Sequence, residues 1–265
     1  MKKVQTRPEY ANWVTWSLPV GAGVVTALFA LGTVLAACLT PLVWPGVLLG
    51  LAAAFFCAFT IYMACARRAL SYDGGGVQGK VLDGVVGYLD TLGWNGQGRL
   101  LDIGCGGGAM SVKLAKKFPQ AQITGMDYWG AGWEFSQSLC ENNARLEGVT
   151  DRVSFEKGDA SRMTYPDAAF DAAVSNFVFH EVRSQPDKLA LVLEALRVLK
   201  PGACFVFEDI LYAKSHYGDA EKFVDALRPH VKEIHLVDMR HPAYAPAFLC
   251  TPLVLGQMGL LYGVK

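Results

Sequence analysis

GRLLDIGCGGGAMSVKLAKKFPQAQITGMD, residues 98–127, reads as a strand, a glycine loop, a helix and a second strand. Leu100, Leu101 and Ile103 form the short apolar run that a buried parallel strand needs, and the run stops at Gly104-Cys105-Gly106-Gly107-Gly108. Met110, Val112, Leu114 and Ala115 then recur at helical spacing, with Lys113, Lys116 and Lys117 opposite them and Pro119 ending the run. Residues 122–126 are the next strand, closed by Asp127. Glycines in such a loop permit positive φ and let backbone N–H groups approach a ligand with no Cβ in the way. Asp127, about twenty residues beyond the loop, stands where a carboxylate accepts from both hydroxyls of a ribose. These features point to a nucleoside derivative as the ligand.

Gly104-x-Gly106-x-x-Ala109 also satisfies a loose dinucleotide pattern, which would make the chain an NADP-dependent reductase. Asp102 separates the two readings. A carboxylate just before the first glycine repels a pyrophosphate and attracts the ammonium group of S-adenosylmethionine. The string Asp102-Ile-Gly104-Cys105-Gly106-Gly-Gly108 matches D-x-G-x-G-x-G, and from about residue 80 to the end the chain resembles the class I S-adenosylmethionine-dependent methyltransferases.

That resemblance implies an α/β, Rossmann-like sheet of seven strands with helices on both faces and an antiparallel last strand. The implied strand order is three-two-one-four-five-seven-six, and the implied cofactor is S-adenosyl-L-methionine. It also assigns roles. Gly104, Cys105, Gly106 and Gly108 cradle the methionine part, and Asp102 holds the loop and the amino group. Asp127 binds the ribose, Asp159 accepts from the adenine amino group, and the Ala160 N–H reaches a ring nitrogen. Asn176 meets the methionine carboxylate or the methyl acceptor. Tyr128 and Trp129 either stack near the adenine or pack in the core. Asp159, in Gly158-Asp159-Ala160, also fits an ordinary Asx turn.

Composition sets the frame for the rest of the chain. Of 265 residues, 52% are hydrophobic, a high share that implies contact with lipid; Lys+Arg and Asp+Glu are both 24, and the resulting absence of net charge argues against a nucleic-acid partner. The cysteines at 38, 57, 65, 105, 140, 204 and 250 are scattered with no C-x-x-C pair, so they read as free thiols, and no metal site is expected. No Asp, Glu, Lys or Arg occurs from Tyr10 to Ala66. The stretch is too long for one span and fits a transmembrane helical hairpin, residues 17–38 and 47–66, broken near Thr40-Pro41 and Pro45-Gly46.

Trp13, Trp16, Trp44 and Tyr62 fall at the expected interfaces. Lys2, Lys3 and Arg7 before the hairpin, with Arg67 and Arg68 after it, place both ends and the catalytic domain in the cytoplasm. The alternative, a cleaved leader ending at the lipoprotein-like box Leu35-Ala36-Ala37-Cys38, would separate the domain from a cytosolic cofactor. Gly46-x-x-x-Gly50 allows close helix packing within the hairpin or a homodimer contact. The chain therefore divides into an anchor (1–70), a linker or lid (71–79) containing Tyr72, Asp73 and Gly74-Gly75-Gly76, and a domain (80–265).

In the domain, residues 80–92 read as a helix and 133–146 as another, with Asn142, Asn143 and Arg145 facing out. Strands are expected at 152–156, 170–175, 203–207, 233–237 and 259–264, and helices at 187–199 and 219–227. After the fourth strand comes Asn176-Phe-Val-Phe-His180-Glu181. His180 and Glu181 are the adjacent base and carboxylate near the site, fit to take a proton from an acceptor or only to line the pocket. Without the prolines of N-P-P-Y, and with no nucleic-acid appendage, the expected acceptor is a lipophilic small molecule or lipid at the membrane: a quinone-like ring, an amine or a thiol. A non-catalytic membrane sensor of the cofactor is the alternative from another class.

Overall fold

The computed structural model describes residues 5–10, 12–72, 76–130 and 135–265. The expectations placed on Lys2, Lys3, Asp73, Gly74, Gly75 and Trp133 lie outside the described residues. Two compact units are present: residues 12–78, and residues 79–265 together with 1–11.

The first unit is a pair of apolar helices, α1 (Ser17–Leu39) and α2 (Val43–Ala69). The second helix starts four residues before the expected boundary, at Val43. Pro45 falls in its first turn, where the missing N–H has no intrahelical acceptor to lose, so the proline does not delay the start. Added Cβ atoms on Gly46 and Gly50 would both meet Thr33 of α1, at 3.9 and 3.8 Å, so this pair packs inside the hairpin. Thr26, Thr33 and Thr60 donate to the carbonyls of Ala22, Phe29 and Phe56, so these three hydroxyls are bonded in their apolar setting. At the open end, Asn12 Nδ2 donates to Arg67 O at 2.7 Å, Arg67 Nη1 donates to Val14 O, and the guanidinium lies 4.5 Å over the Trp16 ring.

The second unit holds α3 (Val77–Thr91), β1 (Gly98–Ile103), α4 (Ala109–Lys117), β2 (Ala121–Asp127), α5 (Gln137–Leu146), β3 (Val153–Lys157), β4 (Phe170–Asn176), α6 (Lys188–Arg197), β5 (Leu199–Asp209), α7 (Lys214–Tyr217), α8 (Ala220–Leu227), β6 (Glu233–Asp238) and β7 (Gly259–Val264). The sheet order is β3-β2-β1-β4-β5-β7-β6. The first five strands in that row run parallel and β7 is antiparallel to both neighbours. This is the Rossmann-like methyltransferase sheet.

β5 is longer than expected, running through Pro201 and Gly202 with a register shift against β4 between Phe170 and Ala172. α6 correspondingly ends at Arg197 and begins after Asp187, whose carboxylate caps Leu189 N and Ala190 N. Phe170, Phe205, Phe207, Leu191 and Leu199 fill the core on the α6 and α8 face. The lysines of α4 pair across to its neighbours: Lys113 with Asp83, Lys117 with Asp90 at 2.8 Å, and Lys116 with Glu147. Asn143 departs from the outward orientation expected of it. It is 0% exposed, for a reason that belongs to the site.

Candidate active site

A parallel sheet delivers its strand ends, and the loops after them, to one edge. Along that edge β1 gives Asp102 and the glycine loop, β2 gives Asp127, β3 leads to Asp159, β4 ends at Asn176, and β5 ends at Glu208 and Asp209.

The loop is held from below and behind. Gly104, Gly106 and Gly108 have φ of 73°, 56° and 81°. A Cβ on Gly104 would come within 2.2 Å of Val178 Cγ2, and one on Gly108 within 3.1 Å of Phe155. Gly104 N and Cys105 N both donate to Met126 O, at 2.7 and 3.1 Å. Asp102 is buried, with Oδ2 accepting from Ser111 Oγ at 2.5 Å; burial pushes its carboxyl up to about 7, against the pull of that hydrogen bond. Cys105 is buried and its thiol is pushed up, first by burial and then by Cys140 and Asp102. Both cysteines are free thiols.

Asp127 joins the two strands of the motif. Oδ2 accepts from Gly106 N at 2.8 Å and Oδ1 accepts from Trp129 N at 2.7 Å, while Trp129 Nε1 returns to Gly106 O at 3.0 Å. Trp129 therefore packs on the loop, with φ of 44°, and Tyr128 beside it is 63% exposed with Lys157 Nζ 5.4 Å above its ring. Asp159 forms the Asx turn, Oδ1 accepting from Ser161 N at 2.8 Å and Ser184 Oγ at 3.1 Å. Burial acts to raise its pKa, but these bonds outweigh that and hold the carboxyl low.

Asn143 was missed by the sequence reading. Its Nδ2 donates to Gly107 O at 2.9 Å and to Glu9 O at 2.9 Å, and its Oδ1 accepts from Glu9 N at 2.9 Å and Gln5 Nε2 at 3.0 Å. An asparagine has two donors and two acceptor lone pairs, so its capacity is filled. Residues 5–10 are thereby laid against the cofactor loop's support, with Tyr10 OH donating to Glu147 at 3.1 Å. No periodic pattern marks such a contact, which links residues 134 positions apart.

At the other half of the edge, Phe177 has φ of 54° and turns the chain into His180. His180 Nδ1 lies 2.5 Å from Asp209 Oδ1 and its Nε2 lies 3.5 Å from Glu181 Oε1. Burial alone would lower this imidazole, but Asp209 and Glu181 overcome it and raise the pKa to about 9. At neutral pH the ring is an imidazolium. Asn176 Nδ2 donates to Glu208 Oε2 at 3.0 Å. Thus the structure collects Asp102, Gly104, Gly106, Gly108 and Asp127 in one bonded cluster and sets Asn176, His180 and Glu181 beyond it.

A nucleoside cofactor fits the first cluster. Each Asp127 oxygen uses one lone pair on backbone and keeps another, and the loop has the bare Cα positions that a close ligand requires. This fold with this loop is that of the class I methyltransferases. Residues 101–207 match the methyltransferase domain family. The 27-O-demethylrifamycin SV methyltransferase of Amycolatopsis mediterranei is 35% identical over 130 residues, 47% of this chain and 44% of that protein. The demethylmenaquinone methyltransferase of Deinococcus radiodurans is 34% identical over 108 residues, covering 41% of each chain. The chain thus spans less than half the length of these relatives.

Among solved structures, geranyl diphosphate C-methyltransferase from Streptomyces coelicolor A3(2), in complex with Mg2+, geranyl diphosphate and S-adenosyl-L-homocysteine, aligns with a TM-score of 0.52 at 18% identity. The alignment covers 71% of this chain and 79% of that one, a likeness of fold. Residues 101–207 are thus a methyltransferase domain, carried on the class I fold, and the cofactor of such domains is S-adenosylmethionine.

Proposed function

We propose that the chain is a membrane-anchored methyltransferase that transfers a methyl group to a lipophilic small molecule or lipid at the cytoplasmic face of the bilayer. The observation that carries this reading is the exposure of the two spans. Both helices are long and apolar enough to cross a membrane, and only 6% of the apolar window of each is buried. A core helix of a soluble protein would be mostly covered; here Val24, Leu28, Leu31, Leu48, Leu51 and Phe55 are all exposed, a surface that water does not favour. Arg67 and Arg68 end the second span and support the cytoplasmic orientation. Gly46 and Gly50 pack inside the hairpin, so a homodimer would use this outer apolar face.

S-adenosylmethionine, when bound, supplies an electrophilic methyl group on a sulfonium. The chain's own residues hold and orient. Gly104, Cys105, Gly106 and Gly108 bring backbone against the methionine part, and Asp102 fixes the base of the loop through Ser111. Asp127 would take the ribose hydroxyls on its remaining lone pairs, Tyr128 would border the adenine, and Asp159 and Ala160 would meet its edge. Asn176 stands between the cofactor half and the acceptor half. His180, paired with Asp209 and Glu181, keeps its proton at neutral pH and lines the pocket as part of an ion-paired cluster rather than as a base. Much of the acceleration then comes from alignment and exclusion of water.

The test is full-length protein in lipid nanodiscs given methyl-labelled S-adenosylmethionine and a membrane lipid extract. Label should pass into the organic phase, and an Asp127→Ala variant should bind neither S-adenosylmethionine nor S-adenosylhomocysteine tightly. Cofactor binding with transfer only to water-soluble acceptors would remove the lipophilic part of the proposal. Binding of NADPH in place of S-adenosylmethionine would remove all of it.

A further inference from the structure

Glu208 and Asp209 close β5 and, by strand alternation, address opposite faces of the sheet. Asp209 has its full set of partners around His180. Glu208 does not. It is 1% exposed, its Oε2 accepts from Asn176, and its Oε1 is buried with no hydrogen-bond partner among the described residues. The Tyr244 and Tyr217 hydroxyls are in the same condition, buried and without a hydrogen-bond partner among the described residues. Tyr244 comes from the segment between β6 and β7, which caps the carboxyl edge beside the end of β5, because Asp238 and Asp209 both pair with Gly259.

Glu208 and Tyr244 belong to one neighbourhood. Burial raises the pKa of Tyr244 and Tyr88, and Glu208 raises both further, after Tyr262 in the case of Tyr88. Tyr88 of α3 lies 4.7 Å from the Tyr262 ring, and Leu260 is the register partner of Glu208. The surroundings are therefore rings and aliphatic carbon with two unpaired polar atoms. Leaving one such atom unbonded costs about 1–3 kcal/mol, and two of them in one neighbourhood need a reason.

We propose that Glu208 Oε1 and the Tyr244 hydroxyl are the recognition site for an oxygen of the methyl acceptor, a phenol, enol or carbonyl borne on an apolar body that lies against Tyr88 and Tyr262. This rests on the methyltransferase reading above and names its substrate class. Burial holds the Glu208 carboxyl well above its ordinary range. With Oε2 accepting from Asn176, Oε1 remains to pair with a substrate oxygen or its O–H, and the Tyr244 hydroxyl can donate to the same oxygen. Such a pair binds and orients the acceptor, which as the nucleophile gives up electron density when the methyl group is transferred. An alkylbenzene offers neither group a partner. Because neither atom reaches solvent, the acceptor enters by lifting the segment between β6 and β7.

The experiment uses full-length protein in nanodiscs saturated with S-adenosylhomocysteine, so that cofactor binding is scored first and separately. A long-chain alkylphenol, the matching alkylbenzene and the matching alkylamine are then titrated against wild type, Glu208→Leu, Glu208→Gln and Tyr244→Phe. The phenol should bind wild type at least tenfold more tightly than the alkylbenzene. Glu208→Leu and Tyr244→Phe should each erase about tenfold of that preference, and Glu208→Gln, which keeps a donor and an acceptor, should lie within threefold of wild type. Both disabling variants should melt at or above the wild-type temperature, because each removes an unpaired buried polar group; a purely structural role predicts a lower one. Cofactor binding with no phenol preference, or an amine preference that Glu208→Gln abolishes, overturns the assignment while leaving the methyltransferase reading intact.

Discussion

The carboxyl edge of the sheet has two halves that are finished to different degrees. At β1 and β2, loop, carboxylate and supporting side chains already bond to one another: Gly106 to Asp127, Trp129 to both, Ser111 to Asp102, and Asn143 to Gly107. At β4 and β5 the His180 pair is complete, while Glu208 and Tyr244 each keep an unbonded buried atom. The difference teaches that the cofactor half is preorganised, with its hydrogen bonds made during folding. The half proposed to take the acceptor keeps buried polar atoms unbonded among the described residues, beside a segment of turns and one short 3-10 helix, Ala247–Leu249.

Substitutions can break this contrast in a definite order of size. Gly104→Ala should be the most damaging, because it puts a Cβ 2.2 Å from Val178 at a φ of 73°. The overpacking and the backbone strain together should cost about 4 kcal/mol, read as a fall in the denaturant midpoint with loss of cofactor binding. Next is the pH response of the acceptor half. The folded pKa of His180, about 9, lies above its ordinary 6.5, so the stabilisation is fully present below pH 6.5 and is lost as pH rises through about 9. That window is worth about 3 kcal/mol at 1.36 kcal/mol for each unit, and Asp209→Asn should flatten most of it in melting curves taken from pH 6 to 10.

Asp127→Ala should weaken S-adenosylhomocysteine binding by about 100-fold, since it removes hydrogen bonds made by a charged group. The His180 titration, followed by NMR, should stay where it is. Asn143→Ala should cost about 2 kcal/mol by stranding backbone groups of Gly107 and Glu9. Hydrogen exchange should then rise at both places together. Rise at only one of them would show that residues 5–10 do not support the loop.

Legibility followed the same division. The glycine loop, Asp127 and the strands around them were readable because short-range pattern and long-range role coincide there: an apolar run, a turn and an acid at set spacing. Even the second span was readable in kind, although its start was misplaced by treating Pro45 as a break. Asn143 was read as outward because an asparagine at that helical position ordinarily faces water, and its partners at Gln5 and Glu9 are too distant in sequence to suggest otherwise. Glu208-Asp209, two acids closing an apolar strand, was a signal in plain view. Nothing local says which of the two would find a partner.

By itself the sequence determined the class of the domain, its cofactor, the sheet's parallel core and a stretch from Tyr10 to Ala66 that no charge interrupts. Those follow from periodicity, glycine placement and composition, which act over a few residues at a time. Only the tertiary structure decided that residues 5–10 support the cofactor loop, that Gly46 and Gly50 face Thr33, that His180 is charged, and that Glu208 is left with an unbonded oxygen. Each of these depends on which side chains meet across the fold and on how much water they lose in meeting.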